Sequence, residues 1–427
     1  MGTASAAVAV VIAGSTFAAV SQGPGHEAMA STANSHAVAG QPSGQASASS
    51  GTTDGSSSGT SGTAQGKGGG SGSQAQPSAP LQVVSVTPSD GTSGANGAGP
   101  ITVTFNEPLA PSSPQPTLSP QVEGSWSISG KTATFQPQVG FTPSTSVTLT
   151  IPGGKDGVQA AGLDATGTTT TAATDVGLLA KTDTVHFTTG SYSVLRLQEL
   201  LTQLGYLPLT WAPTDPSAGN VSATDANAQL SAAYDPPGGT FTFKSGYPSQ
   251  LTSQWKSGKA NELDTGAIMA FQNDNGIGMD GVAGPDMWAH LLTAVAQDKQ
   301  NPNGYTYSLA DQHEPQRLRV WHNGQQILST LVNTGAPGAG TQDGTFPVFE
   351  RFKVTQMKGT NPDGSKYDDT VYWVSYFNGG DALHYFPRPG YGYYQSNGCV
   401  EMQLQPAKDI WKYTTYGSLV TVQGPEA

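Results

Sequence analysis

From Ala18 to Pro80 this chain has no Phe, Trp, Tyr, Leu or Ile, and that absence limits where folding can begin. The stretch is mostly Gly, Ser, Ala, Gln and Thr, with Glu27, Asp54 and Lys67 as its only Asp, Glu, Lys or Arg charges. Without large apolar side chains it cannot offset the entropy lost on ordering, so residues 31–80 are expected to form a disordered Gly/Ser-rich linker. About 60 such residues have an r.m.s. reach of roughly 40–50 Å. Before it, Val8–Ile12 is an apolar run in a stretch without Lys or Arg, and Ala28-Met29-Ala30 has the small-x-small pattern of a cleavage site. Residues 1–30 are expected to be a signal peptide, with a membrane anchor as the alternative.

The rest of the 427-residue chain exceeds the roughly 250–300 residues at which one core stops growing, so several domains are expected. Only 11% of residues are charged and the net charge is -12. Nucleic acid, which needs basic stripes, is excluded as a partner, and so is electrostatic docking on anionic lipid. Low charge with abundant Gly and Thr suits an extracellular, mainly β, multidomain protein.

Residues 81–190 alternate like short strands. Ile101-Thr-Val-Thr-Phe105, Thr132-Ala-Thr-Phe135, Ser146-Val-Thr-Leu-Thr-Ile151 and Thr184-Val-His-Phe-Thr188 are separated by turn residues, which predicts a β-sandwich. The phrases Pro100–Asn106 and Phe141–Val147 resemble bacterial Ig-like wall domains. Nothing in this segment looks catalytic, so a spacer role is expected, with His186 facing solvent.

Residues 191–300 change period. Leu197, Leu200, Leu201 and Leu204 mark an amphipathic helix closed by Gly205; further helices run through Gly266–Gln272 and Met287–Leu292. Leu204-Gly-Tyr206, Ala270-Phe-Gln272 and Asp280-Gly-Val-Ala-Gly-Pro285 resemble a small three-helix peptidoglycan-binding domain. A Pro/Gly/aromatic insertion between about Leu207 and Glu262 departs from that pattern.

Asn301–Gly304 reads as a linker, and residues 305–424 return to strands. Arg317–Trp321 and Gln326–Thr330 flank Asn323-Gly324, a hairpin signal. This segment holds Cys399, the only cysteine of the chain, and His384 fifteen positions before it. A lone thiol cannot close an intramolecular disulfide. An exported protein that keeps one either buries it as a small hydrophobe or uses it as a nucleophile. As a nucleophile it needs a base, because the thiolate is the reactive form. His313 lies in a linker-like stretch and His322 abuts the turn, so His384 is the base by elimination. Gly398 lets the backbone approach closely, and in the loop Ser396-Asn397-Gly398 the amides around Gly398 and Cys399 are candidates to hold an oxyanion. Tyr391, Tyr393 and Tyr394 are candidates to line a substrate groove, with packing of the loop as the equal alternative. No His/Asp/Glu cluster has metal-ligand spacing.

The segment resembles an L,D-transpeptidase catalytic domain of the YkuD type. The resemblance rests on His384, Ser396-Asn397-Gly398-Cys399-Val400, Asn333-Thr-Gly335 and Asp343-Gly-Thr-Phe-Pro-Val348. It implies that Cys399 attacks a diaminopimelate carbonyl of a donor stem tetrapeptide, D-Ala leaves, and a neighbouring stem amine resolves the thioester into a 3→3 cross-link. His384 would serve as base and then acid, and Ser396 would organise the nucleophile loop. No metal or organic cofactor is implied, and the partners are peptidoglycan stem peptides in the cell wall. A carboxypeptidase of the same fold is one alternative; a wall-binding scaffold with an impaired site is another. Three positions depart from the family pattern. Asn397 replaces a histidine, Glu401 stands where Arg or Asn is usual, and Tyr385 follows His384 where Gly or Ser is common. Glu401 near the thiol would raise its pKa unless a cation offsets it.

Overall fold

The structure is a computed structural model that describes residues 79–138, 140–162, 177–216 and 221–424. The expected leader and tether lie outside the described residues, apart from Ala79 and Pro80. Among the described residues no helix is long and apolar enough to cross a membrane.

Strand outweighs helix in the first and last described segments, as alternation predicts, and helix outweighs strand in the segment between them. The first segment forms two four-stranded sheets. One runs Val83–Thr87, Ile101–Phe105, Thr132–Pro137, Gly124–Ser129; the other runs Ser93–Ala95, Asp183–Thr189, Ser146–Ile151, Thr117–Ser119. Period-two patterning puts Val103, Phe105, Val147, Leu149 and Phe187 into one core. The two three-residue strands, Ser93–Ala95 and Thr117–Ser119, had no sequence signal because Gly and Pro interrupt their alternation. His186 lies on the outer face, with its Nδ1 3.1 Å from Thr148 Oγ1.

The helical segment carries Val194–Gln203, Glu262–Asp274 and Pro285–Ala296 where the Leu and Phe spacing places helices. Asn261 caps the second by accepting from Leu263 N, while Asp264 accepts from Asn261 N in a reciprocal capping box. The insertion folds as a hairpin, Leu209–Pro213 against Gly239–Phe243, with helices Ala226–Tyr234 and Ser249–Thr252. The segment is thus more than a three-helix unit. Its core does not close on itself either. Leu200, Leu201, Phe271 and Leu291 share one cluster with Tyr305, Tyr307, Leu309, Trp321 and Leu419 of the following segment. Backbones approach closely there: a Cβ on Gly417 (φ +77°) would meet Gly266 O and Ala270 N. Asn301 begins a tight turn bonded back to the first helix's end, through Asn301 N to Leu204 O at 2.8 Å.

The last segment has two sheets. A five-stranded sheet runs Gln325–Leu331, Arg317–His322, Thr306–Asp311, Leu419–Gln423, Gly344–Pro347. A four-stranded sheet runs Glu350–Thr360, Lys366–Asn378, Asp381–Tyr385, Val400–Met402. Val320, Val348, Phe377, Val400, Met402 and Val420 share a core with Ile410 of helix Leu404–Trp411. Asp381–Tyr385 and Val400–Met402 pair in parallel, with His384 opposite Glu401. Parallel neighbours need a crossover of a dozen or more residues. That crossover is residues 386–399, and it delivers Cys399 beside the strand of His384.

Candidate active site

Cys399 and His384 line one pocket of about 340 Å³. Its other wall is the long hairpin of the four-stranded sheet, through Met357, Lys358, Tyr367, Asp369 and Val371. His384 is 2% exposed, and its Nδ1 lies 3.0 Å from the Tyr385 carbonyl oxygen. A carbonyl only accepts, so Nδ1 carries the proton and donates. Burial, with Arg388 adding to it, holds the imidazole down at about 4, so it is neutral at pH 7 and Nε2 keeps its lone pair. The departure at Tyr385 therefore costs no orienting group, because the backbone supplies it.

Cys399 is 8% exposed. Its Sγ donates toward Gly380 O at 3.6 Å and lies 3.9 Å from Met357 Sδ; among the described residues no hydrogen bond joins it to His384. Burial pushes the thiol up to about 12, with the charges of Asp381 and Glu401 acting the same way. Thiol and imidazole thus rest as a neutral pair at pH 7. Alkylation of the free protein by iodoacetamide at pH 7 is expected to be slower than that of an unstructured cysteine peptide, whose thiol has a pKa near 8.5; rates timed by mass spectrometry check this.

The loop before Cys399 is held from several sides. Ser396 Oγ donates to Cys399 O at 2.6 Å and accepts from Gly398 N at 3.2 Å. Ser396 organises the turn, and the Gly398 amide is already engaged. That corrects the expectation that this amide is open to an oxyanion. Thr334 O accepts from Ser396 N at 2.9 Å, and Thr341 Oγ1 donates to Gly398 O at 2.7 Å. Asn333 Oδ1 accepts from Gly392 N at 3.0 Å. The Asn333-Thr-Gly335 phrase thus clamps the crossover. Gly398 has φ +109°, and a Cβ there would stand 2.3 Å from Asp381 Oδ1. Gly398→Ala is expected to cost about 1–3 kcal/mol of backbone strain alone, read by denaturant unfolding, and to displace Cys399.

Asn397 lines the pocket, and its Nδ2 donates to Asn361 Oδ1 at the hairpin tip, at 2.7 Å. Glu401 has the cation the sequence left unidentified. Arg388 donates through Nε and an Nη to the two Glu401 oxygens, both at 2.7 Å, and stacks 4.7 Å from the Phe386 ring. Burial pushes the Glu401 pKa upward, and the Arg388 fork acts against it, favouring the ionised carboxylate. Of the two readings of the loop tyrosines, packing is the one their contacts favour. None of Tyr391, Tyr393 and Tyr394 lines the pocket with Cys399. Tyr391 Oη donates to Phe386 O and Tyr394 Oη to Gln312 O, so both pack the crossover, and Tyr393 is 42% exposed. The tyrosines of the pocket are Tyr367 and Tyr376.

Residues 305–422 match the model of the L,D-transpeptidase catalytic domain. Residues 77–189 match that of the bacterial Ig-like domain. No curated protein matches the chain. Among solved structures, an L,D-transpeptidase from Mycobacterium smegmatis is 13% identical, covering 81% of this chain and 100% of its own, with a TM-score of 0.26. L,D-transpeptidase 3 from Mycobacterium tuberculosis is 12% identical over 80% of this chain and 98% of its own, with a TM-score of 0.25. The catalytic domain of the E. faecium L,D-transpeptidase is 26% identical over 28% of this chain and 96% of its own, with a TM-score of 0.26. The segment that matches the L,D-transpeptidase catalytic domain model contains Cys399, His384 and Arg388, and it starts after the last helix of the preceding segment, Pro285–Ala296.

Proposed function

We propose that this protein is an exported peptidoglycan L,D-transpeptidase that forms 3→3 cross-links through a thioester on Cys399. The observation that carries the reading is one pocket shared by a buried cysteine and a neutral, backbone-oriented histidine, inside the segment matching the L,D-transpeptidase catalytic domain. Cys399 attacks the diaminopimelate carbonyl of a donor tetrapeptide. His384 Nε2 takes the thiol proton and returns it to the departing D-Ala amine. A stem amine then resolves the thioester. The Ig-like segment acts as a spacer and the helical segment, packed on the catalytic sheet, as a wall-binding module. Residues 1–80 provide an export leader and a tether.

Asn397 and Glu401 motivated a scaffold reading. Arg388 offsets Glu401, which removes half of that motive. Ertapenem is the probe, because the E. faecium catalytic domain is described as acylated by it. Incubation is expected to add one ertapenem mass to Cys399, and Cys399→Ala is expected to add none. A folded protein that takes up no adduct would refute the acyl-enzyme. Digestion of peptidoglycan treated with the protein is expected to yield 3→3 dimers; shortened stems without dimers would make it a carboxypeptidase.

A further inference from the structure

Asp381 opens the strand that carries His384 and lines the same pocket as Cys399. Its Oδ1 lies against the Gly398 backbone, where an added Cβ would meet it at 2.3 Å. Acylation as described above makes no use of it. The thiol directs its hydrogen to Gly380 O, not to this carboxylate. The cations of the pocket are engaged elsewhere: Lys358 by Asp368 at 2.9 Å and Arg388 by Glu401 at 2.7 Å. Among the described residues no ion pair includes Asp381. Asp381 is half-buried whereas His384 is 2% exposed, so a molecule entering from solvent reaches the carboxylate more readily than the imidazole.

We propose that Asp381 is the acceptor-side base: it docks the incoming stem ammonium beside the thioester and takes one of its protons. The inference rests on the acyl-enzyme reading above and adds the residue that serves its second half. A stem amine resembling a lysine side chain, with a pKa near 10.4, arrives protonated and cannot attack until it loses a proton. His384 Nε2 is needed to relay a proton to the departing sulfur, so the ammonium's first proton requires a second acceptor in the pocket, and burial raises Asp381 to about 7, near neutral pH. The ammonium gives one proton to the carboxylate. The freed nitrogen lone pair forms the C–N bond as the C–S bond breaks. The nitrogen's second proton passes through His384 Nε2 to the departing sulfur. Thioester, ammonium and carboxylate thus become amide, thiol and carboxylic acid, with charge and protons conserved.

The test separates the two half-reactions. A synthetic stem tetrapeptide ending in D-Ala serves as donor, and its free side-chain amine serves as acceptor. Mass spectrometry follows acyl-enzyme and dimer separately, on full-length protein and on Asp381→Asn and Asp381→Ser checked for native circular dichroism. Both variants are expected to acylate at least as fast as wild type, since a negative charge beside Sγ is gone, and to resolve the thioester with amine at least ~10-fold more slowly. Wild-type aminolysis is expected to lose rate below about pH 7, where Asp381 becomes protonated, and both variants to lack that limb. His384 titrates at about 4 and Tyr376 at about 12, the Cys399 sulfur of the acyl-enzyme is a thioester without a titratable proton, and Glu401 is forked by Arg388 in wild type and variants alike. Lys358 is paired, Asp369 sits near Arg388, and burial pushes Tyr367 further above neutrality. Acyl-enzyme that both variants resolve at wild-type rate would overturn the proposal, and so would loss of acylation itself, which would assign Asp381 to the thiol. A wild-type protein that forms no acyl-enzyme would instead refute the underlying function.

Discussion

Arg388→Met is expected to lower unfolding free energy by about 3–5 kcal/mol, the usual cost of stranding one member of a buried ion pair. Glu401 is 4% exposed and receives two 2.7 Å bonds from that guanidinium. Without Arg388 the carboxylate must either stay charged in a dry site or take up a proton. The double variant Arg388→Met with Glu401→Met is expected to recover most of the loss, because both charges leave together and methionine replaces them with apolar volume. Urea unfolding of the two variants measures this. A single variant as stable as wild type would show that the pair is solvated. Thiol chemistry is expected to suffer as well. Glu401 already raises the thiol pKa with Arg388 present, and stripping the cation strengthens that effect wherever the carboxylate remains ionised.

Replacing His384 by Ala is expected to slow acylation of Cys399 by ertapenem by roughly 10²–10⁴-fold, the range a positioned general base contributes. The thiol is pushed up to about 12, so thiolate is scarce at pH 7 and the imidazole must take the proton during attack. Stopped-flow or timed mass spectrometry on the variant, with its melting temperature recorded alongside, reads the effect. Acylation at the wild-type rate would remove His384 from the mechanism. Raising the pH toward 12 is expected to restore part of the variant's rate, since hydroxide then produces the thiolate that His384 no longer assists.

The parts of this protein that were legible in its sequence are those encoded over short distances. Ile101–Phe105 and Ser146–Ile151 alternate residue by residue, and they are strands with the apolar face inward. Leu197, Leu200, Leu201 and Leu204 repeat at helical spacing, and they are buried on one helix and its cap. Cys399 and His384 stood out because one is unique and the other is the remaining histidine of its segment. Arg388 did not stand out. It lies in a Pro-rich stretch, Pro387-Arg-Pro389, and nothing along the chain ties it to Glu401. Their pairing exists because the crossover turns back over the parallel strands.

Sequence alone therefore determined a mainly β chain with a sandwich segment, a helical segment and a last β-rich segment that holds the candidate chemistry, and the residue types of that chemistry. These follow from periodicity and composition, which are local properties. Only tertiary structure decided what surrounds the thiol. It joined the helices to the last segment's five-stranded sheet through one core, gave Glu401 its cation, engaged the Gly398 amide with Ser396, turned Tyr391 and Tyr394 into packing and set Asp381 against the loop before Cys399. Each of those depends on distance and burial between residues far apart in the chain, and the desolvation that lowers the His384 pKa and raises those of Cys399 and Asp381 exists only once the pocket has formed.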